Sequence, residues 1–322
     1  MRVMLVTNPF ATFTTPAGRD ALDNTLAARY HVDVEHTTHR GHAGELGARA
    51  AAEGYDAVVV HGGDGSVNEV ANGLLGHPDR SDLPPSASLP ALGVVPGGSA
   101  NVFARALGID RDPLVATRQL MDMLDARQRR TISLGHTLGR WFLFNAGMGM
   151  DAIVVRQMED KRQAGKKATA QRYLFTTVAS FFSSAHPSPT FTVEVPEHEP
   201  LTGVRFGFVS NTGPWTYLGA RPIRTNPGTD FDHGLGVFAA TSIGVLRNSV
   251  LGSKLLTGSK DPRAGHLFRD DDVEWVRFTS EEPADVQMDG DYLGRHSEML
   301  FGCRRHVLDV VAPPATVLPM GK

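Results

Sequence analysis

The chain is expected to fold as an α/β N-terminal domain over residues 1–130 and a β-rich, sandwich-like C-terminal domain over residues 131–322, with the final strand free to return to the first domain. Two observations predict this. In the first 130 residues, apolar strand-like runs alternate with helix-like runs, the pattern of a parallel sheet flanked by helices. Beyond residue 131, short alternating strands follow one another, mostly without helices between them, as in antiparallel sandwiches and barrels. At 322 residues, 41% of them hydrophobic, the chain can fill one large or two ordinary cores.

The elements follow in order. "RVMLVTN" reads as a first strand, "GRDALDNTLAARY" as a helix, "HVDVEHTT" as a second strand and "GHAGELGARAAAEG" as a second helix. "YDAVVVHG" is a third strand. After it Val67, Val70, Ala71, Leu74 and Leu75 recur at helical spacing, which predicts a helix over 66–76 with one buried face. "SDLPPSASLP" is a loop, "ALGVV" a fourth strand and "NVFARAL" the start of a further helix. The second domain is read as the strands "TISLGHT", "RWFLFNAG", "FTVEV", "GVRFGFVSN", "LGVFAAT", "VEWVRFTS", "ADVQMDG" and "HVLDVVAP", interrupted by helical stretches near 150–182 and 243–258.

A net charge of −3 gives no general reason to expect a nucleic-acid partner. Cys303 stands alone, so no internal disulfide can form, and "MRVMLVTNPF" is too short an apolar segment for a secretion signal; a reducing, cytoplasmic setting is expected. "YLFTTVASFF" at 173–182 has roughly half of the ~20 residues needed to cross a bilayer. Before it, Arg156, Lys161, Arg162, Lys166, Lys167 and Arg172 would suit anionic headgroups, which points to peripheral membrane association; a solvated basic helix is the plain alternative.

Chemistry concentrates at "VVVHGGDGS". Gly62, Gly63 and Gly65 between a strand and a helix let backbone N–H groups approach an anion, and Ser66 adds a hydroxyl. No lysine follows at P-loop spacing, and the glycines do not match the dinucleotide fingerprint. A carboxylate, Asp64, sits in the middle. It suits a phosphate site if it serves Mg²⁺ or takes a proton from an attacking hydroxyl; otherwise it stabilises a turn. "LGVVPGGSANVFAR" repeats the strand, glycine turn and helix, placing Gly97, Gly98, Ser99 and Asn101 at the same end of the sheet.

These motifs, with "TNP" at 7–9, "GHA" at 41–43 and the late "VQMDGD", resemble the diacylglycerol kinase catalytic-domain family, which includes bacterial lipid kinases and the sphingosine and ceramide kinases. The resemblance implies a NAD kinase/diacylglycerol kinase-like fold and ATP- and Mg²⁺-dependent phosphorylation of a lipid hydroxyl at a membrane surface, with diacylglycerol the first substrate expected and sphingoid bases, ceramides, monoacylglycerols or an unusual lipid alcohol left open. It places Asn8, Thr38, Gly62, Gly63, Gly65, Ser66, Glu69, Gly97, Gly98, Ser99 and Asn101 around the nucleotide. Asp289 matches the family's activating base. Asp64 would serve Mg²⁺ or replace Asp289 as the base, and Asp291 and Asp232 join Asp64 as metal candidates. "FNAGMGMDAIVV" resembles the segment leading to the lipid-facing region.

Three positions depart from the family pattern: Val102 follows Asn101 where an aspartate is frequent, Asp291 stands for a glutamate, and His233 stands where relatives place a metal-binding aspartate, with Asp232 one residue earlier. Phosphofructokinases share "GGDGS" but carry an N-terminal glycine pair where this chain has "VTNPFA"; NAD kinases share the loop but not the later threonine- and glycine-rich segment. A non-catalytic nucleotide- or lipid-binding regulator is the remaining alternative, and self-association into a homo-oligomer is left open. His31, His36, His39 and His42 crowd one region without the spacing of a zinc site, and Met148, Met150 and Met158 read as packing residues.

Overall fold

In the computed structural model, which describes residues 1–149, 189–218, 221–242 and 264–314, the first apolar run forms strand β1 (Arg2–Thr7). Next come α1 (Pro16–Ala27), β2 (His31–His36), α2 (His42–Ala52), β3 (Ala57–Gly62), α3 (Asp64–Leu75), β4 (Ala91–Pro96), α4 (Val102–Ala106) and α5 (Pro113–Asp125). The chain divides into two units, Met1–Ile132 with the segment from His306 onward, and Ser133–Arg305.

In the first unit the strands are parallel, in the order β2-β1-β3-β4. β3 and β4 are buried along their whole length, as strands covered by helices on both faces must be, which explains their continuous apolar runs. β2 lies at the edge and carries the polar alternation of "HVDVEH". Two differences from the sequence reading have clear causes. Helix α3 begins at Asp64, two residues before the predicted start, because extended Gly63 acts as its N-cap; Asp64 and Gly65 are helical. Helix α5 falls in a segment that the periodicity left unassigned, yet its start is well marked: Asp112 accepts from the N–H groups of Leu114 and Val115, and Pro113 takes the first helical position.

Glycines set the distance between α2 and α3. A Cβ on Gly73 would lie 2.0 Å from the carbonyl oxygen of Gly44, and one on Gly47 would lie 2.6 Å from that of Val70. Backbone meets backbone there, so neither side can yield by turning a rotamer. Gly73→Ala is therefore expected to lose about 3 kcal/mol of stability despite alanine's better helix propensity, read as a lower urea midpoint at unchanged slope.

The remaining strands are β5 (Arg130–Thr137), β6 (Arg140–Phe142), β7 (Asn145–Gly149), β8 (Phe191–Glu194), β9 (Leu201–Val204), β10 (Phe206–Ser210), β11 (Pro214–Leu218), β12 (Arg221–Arg224), β13 (Leu235–Ala240), β14 (Leu267–Val273), β15 (Trp275–Met288) and β16 (Asp291–Val310); β5 begins and β16 ends in the first unit, and the others belong to the second. Antiparallel pairing runs β14-β13-β10-β7-β15-β16. The core is aromatic: Phe278 packs against Phe191 and Phe301 with ring centroids 5.1 Å apart in each pair. The predicted strands "VEWVRFTS" and "ADVQMDG" join into β15, whose register shifts between Thr279 and Ala284. "RWFLFNAG" instead splits into β6 and β7. Beyond residue 305, β16 reaches Val310, which pairs in parallel with Leu92 of β4. The helical stretches expected near 150–182 and 243–258, with Met150, Met158 and the basic segment from Arg156 to Arg172, lie outside the described residues.

Candidate active site

From β1 the chain crosses to β2 on one side and then to β3 on the other. Beyond the carboxyl ends of the strands at such a switch point, open α/β sheets hold their ligands. Asn8 and the two glycine turns, at Gly62–Ser66 and Gly97–Asn101, follow the ends of β1, β3 and β4. Asn8 leaves β1 and donates from Nδ2 to Ser66 Oγ at 3.0 Å, joining the exit of β1 to the start of α3. Its N–H donates to the carbonyl of His61 at 3.0 Å.

The two glycine turns interlock. Gly97 N–H donates to the Gly62 carbonyl at 2.8 Å. A Cβ on Gly98 would lie 2.6 Å from Gly63 Cα, and one on Gly97 would lie 3.2 Å from Gly62 Cα. These glycines are thus required by the contact between the turns. Gly65 differs: it is exposed, and a Cβ there would meet nothing within 4 Å. Open space over the first turn of a helix is where an anion can reach backbone N–H groups.

Within the second turn, Asn101 is left-handed (φ 49°) and its amide closes on Gly98, accepting from the N–H at 2.9 Å and donating to the carbonyl at 2.7 Å. Ser99 is exposed. Asp64 turns toward this second turn: Oδ2 accepts from Val102 N–H and Oδ1 from Phe103 N–H, each at 3.1 Å. Burial pushes its carboxyl up from the usual range, opposed by the N–H groups of Phe103, Val102 and Asn101 and by the charge of Arg105.

Two predicted nucleotide residues are engaged elsewhere. Glu69 Oε1 accepts from Gly41 N–H at 3.0 Å, tying α3 to the "GHA" turn. Thr38 donates its N–H to His42 Nδ1 at 3.1 Å, and its hydroxyl lies 3.0 Å from His39 Nδ1. His39 and His42 stack with centroids 4.9 Å apart, and among the described residues no group of three His, Cys, Asp or Glu is suited to a metal ion.

Arg19, which the sequence reading passed over, is half-buried and has no hydrogen-bond or ion-pair partner for its guanidinium among the described residues. It stands near enough to His61 to lower that residue's pKa, adding to the larger effect of burial. Arg19 is thus a cation near the end of β3. His61 itself is 3% exposed, with Nδ1 3.2 Å from the Val95 carbonyl. Since its folded pKa lies below the unfolded 6.5, its contribution to stability is present above that pH and lost as pH falls through the folded value. Urea midpoints are expected to fall on acidification below pH 6.5, and less steeply in His61→Gln.

In the second unit Asp289 occupies the turn between β15 and β16, left-handed at φ 49°. Its carboxylate accepts three consecutive backbone donors, from Leu143 at 2.5 Å to Oδ2, and from Phe144 at 3.0 Å and Asn145 at 3.1 Å to Oδ1. Leu143 and Phe144 lie between β6 and β7, and Asn145 begins β7. Asp289 N–H donates in return to the Asn145 carbonyl at 2.8 Å. Beneath the turn Gln287, fully buried, donates to Asn145 Oδ1 at 2.9 Å and accepts from Gly290 N–H at 3.1 Å. The sequence reading missed Asn145 and Gln287; the available signal was a carboxamide beside the apolar and small residues of "NAGMG" and between Val286 and Met288. Of the other metal candidates, Asp291 faces Arg140 at 3.8 Å, and Asp232 is half-buried and donates its N–H to Asp230 Oδ1, an oxygen that also lies 2.6 Å from His233 Nδ1.

Comparison with known proteins bears on this site. Residues 2–136 match the diacylglycerol kinase catalytic domain. A diacylglycerol kinase of Bacillus subtilis is 36% identical over 122 residues, 38% of this chain and 36% of that protein, so the match spans little more than a third of the relative's length. A probable YegS-like lipid kinase of Pseudomonas syringae is 29% identical over 92% of this chain and 88% of its own. The crystal structure of a diacylglycerol kinase from Bacillus anthracis superposes with a TM-score of 0.74 over 97% of both chains at 20% identity, which shows a shared fold. Residues 2–136, which hold both glycine turns, thus resemble the diacylglycerol kinase catalytic domain, and the relatives that the chain matches carry lipid kinase names.

Proposed function

We propose that the protein transfers the γ-phosphoryl group of ATP to the hydroxyl of a lipid at a membrane surface, with diacylglycerol the first candidate acceptor. The observation that carries this reading is the pair of interlocked glycine turns at the switch point, with Gly65 left open above the first turn of α3 and Arg19 nearby. Backbone N–H groups and one cation at that place suit a polyphosphate. The match of residues 2–136 to the diacylglycerol kinase catalytic domain and the similarity to lipid kinases support lipid kinase activity in general, and the choice of diacylglycerol goes beyond them.

In this reading Asp289 takes the proton of the lipid hydroxyl as the new P–O bond forms. Its three backbone donors fix the orientation of the carboxylate. Mg²⁺ supplies charge neutralisation on the phosphates when bound. The described residues do not build a protein cage for it: Asp64 is engaged by two amides and Asp291 faces an arginine. That suits a cation held mainly by nucleotide phosphates and water. No described helix is long and apolar enough to cross a membrane.

The test is transfer of labelled γ-phosphate from ATP with Mg²⁺ into a panel of micellar lipids, sugar phosphates and NAD. Label in a lipid supports the reading, and label in a sugar phosphate or NAD refutes it. ATP binding without transfer to any acceptor would leave a nucleotide-binding regulator in its place.

A further inference from the structure

We infer that Asp64 is a positioning residue: its carboxylate acts as an internal anion that holds the turn after β4 against the turn after β3, leaving the backbone around Gly65 to receive the nucleotide's phosphates. This deepens the kinase reading and rests on it only for the identity of the ligand.

The argument begins with charge. A carboxylate directed at a phosphate site would repel the ligand unless a metal intervened. At the first position of α3 the side chain has a different target, the N–H groups of Val102 and Phe103 at 3.1 Å each. These begin α4, whose first-turn amides have no partner within a five-residue helix. Asn101, just before them, is held in the left-handed region and makes no side-chain cap to α4, since its amide closes on Gly98 instead. The cap thus comes from another segment of the chain.

Asp64 and the glycines complement each other. Gly98 has no room for a Cβ against Gly63, so the turns touch there through backbone and no side chain of Gly98 can fasten them. The Gly97 to Gly62 hydrogen bond secures one side of the junction and Asp64 the other. With both oxygens turned to the second turn, the carboxylate satisfies the amides that could compete for phosphate there. The ligand is directed to the exposed face of Gly65. The aspartate within the glycine motif is compatible with an anionic ligand because it serves the neighbouring turn.

The test uses the full chain with Asp64→Asn, which keeps the shape but can accept with only one of its two terminal atoms. Binding of radiolabelled ATP in EDTA is expected to weaken by at least about tenfold. The KM for ATP should rise by a similar factor, while the Mg²⁺ concentration for half-maximal rate at saturating ATP and the pH profile of kcat stay as in the wild type. Unchanged metal-free binding with a raised Mg²⁺ requirement would make Asp64 a metal ligand and overturn the inference. Loss of the basic limb of the kcat profile would make it the base and do the same. Amide hydrogen exchange in the wild type gives a check that needs no variant to fold. Val102 and Phe103 should stay protected when Mg²⁺ and ATP are added, and loss of their protection refutes the inference. Binding and exchange require no acceptor, so failure to find a lipid product leaves both able to decide.

Discussion

Asp289→Asn is expected to lower the rate of phosphoryl transfer by about 10²–10⁴-fold while ATP binding persists, because the amide cannot take a proton from the acceptor hydroxyl. The geometry adds a second effect. The amide oxygen can keep the donors of Phe144 and Asn145, but its NH₂ then faces the Leu143 N–H, a donor against a donor. Leaving that amide unpaired costs about 1–3 kcal/mol. Rate and urea stability are therefore to be measured on the same preparation. A stability loss with the rate retained would show that Asp289 fastens the 143–145 segment and does not act as the base.

The second large effect separates two glycines that look alike in sequence. Gly98→Ala would put a methyl 2.6 Å from Gly63 Cα, forcing the turns apart. It is expected to cost about 1–3 kcal/mol of stability and to abolish measurable nucleotide binding. Gly65→Ala meets nothing within 4 Å and lies in the first turn of α3. It should stabilise the fold by up to about 1 kcal/mol through helix propensity. Yet it covers the open backbone, and ATP affinity is expected to fall by about tenfold or more. Thermal melts with and without ATP test both variants. A Gly65→Ala protein that binds ATP as the wild type does would mean that the phosphates sit elsewhere.

The parallel strands were legible because β3 and β4 are buried on both faces and so appear as unbroken apolar runs, while β2 at the edge alternates. The start of α3 was placed two residues late because apolar periodicity marks the buried face, and Asp64 and Gly65 contribute nothing to it. α5 was missed although Asp112 and Pro113 marked its start, since a capping signal carries weight only when it is looked for apart from the periodicity. The break at 143–144 was beyond reach: "FLF" is continuous and apolar, and the amides of Leu143 and Phe144 donate to the carboxylate of Asp289, which is distant in sequence.

By itself the sequence determined the two glycine turns, the strands that present them, the alternating first domain and the β-rich second. It also singled out the residues at which chemistry concentrates. Backbone preference, burial period and turn composition are local properties, carried within a window of a few residues. Tertiary structure alone decided what those residues do: Asp64 binds the second turn 38 positions away, Glu69 the turn at Gly41 28 positions back, and Asp289 the amide of Leu143 146 positions back. A polar side chain bonds to whichever donor the fold brings within about 3 Å, and that neighbour leaves no trace in the spacing of the chain.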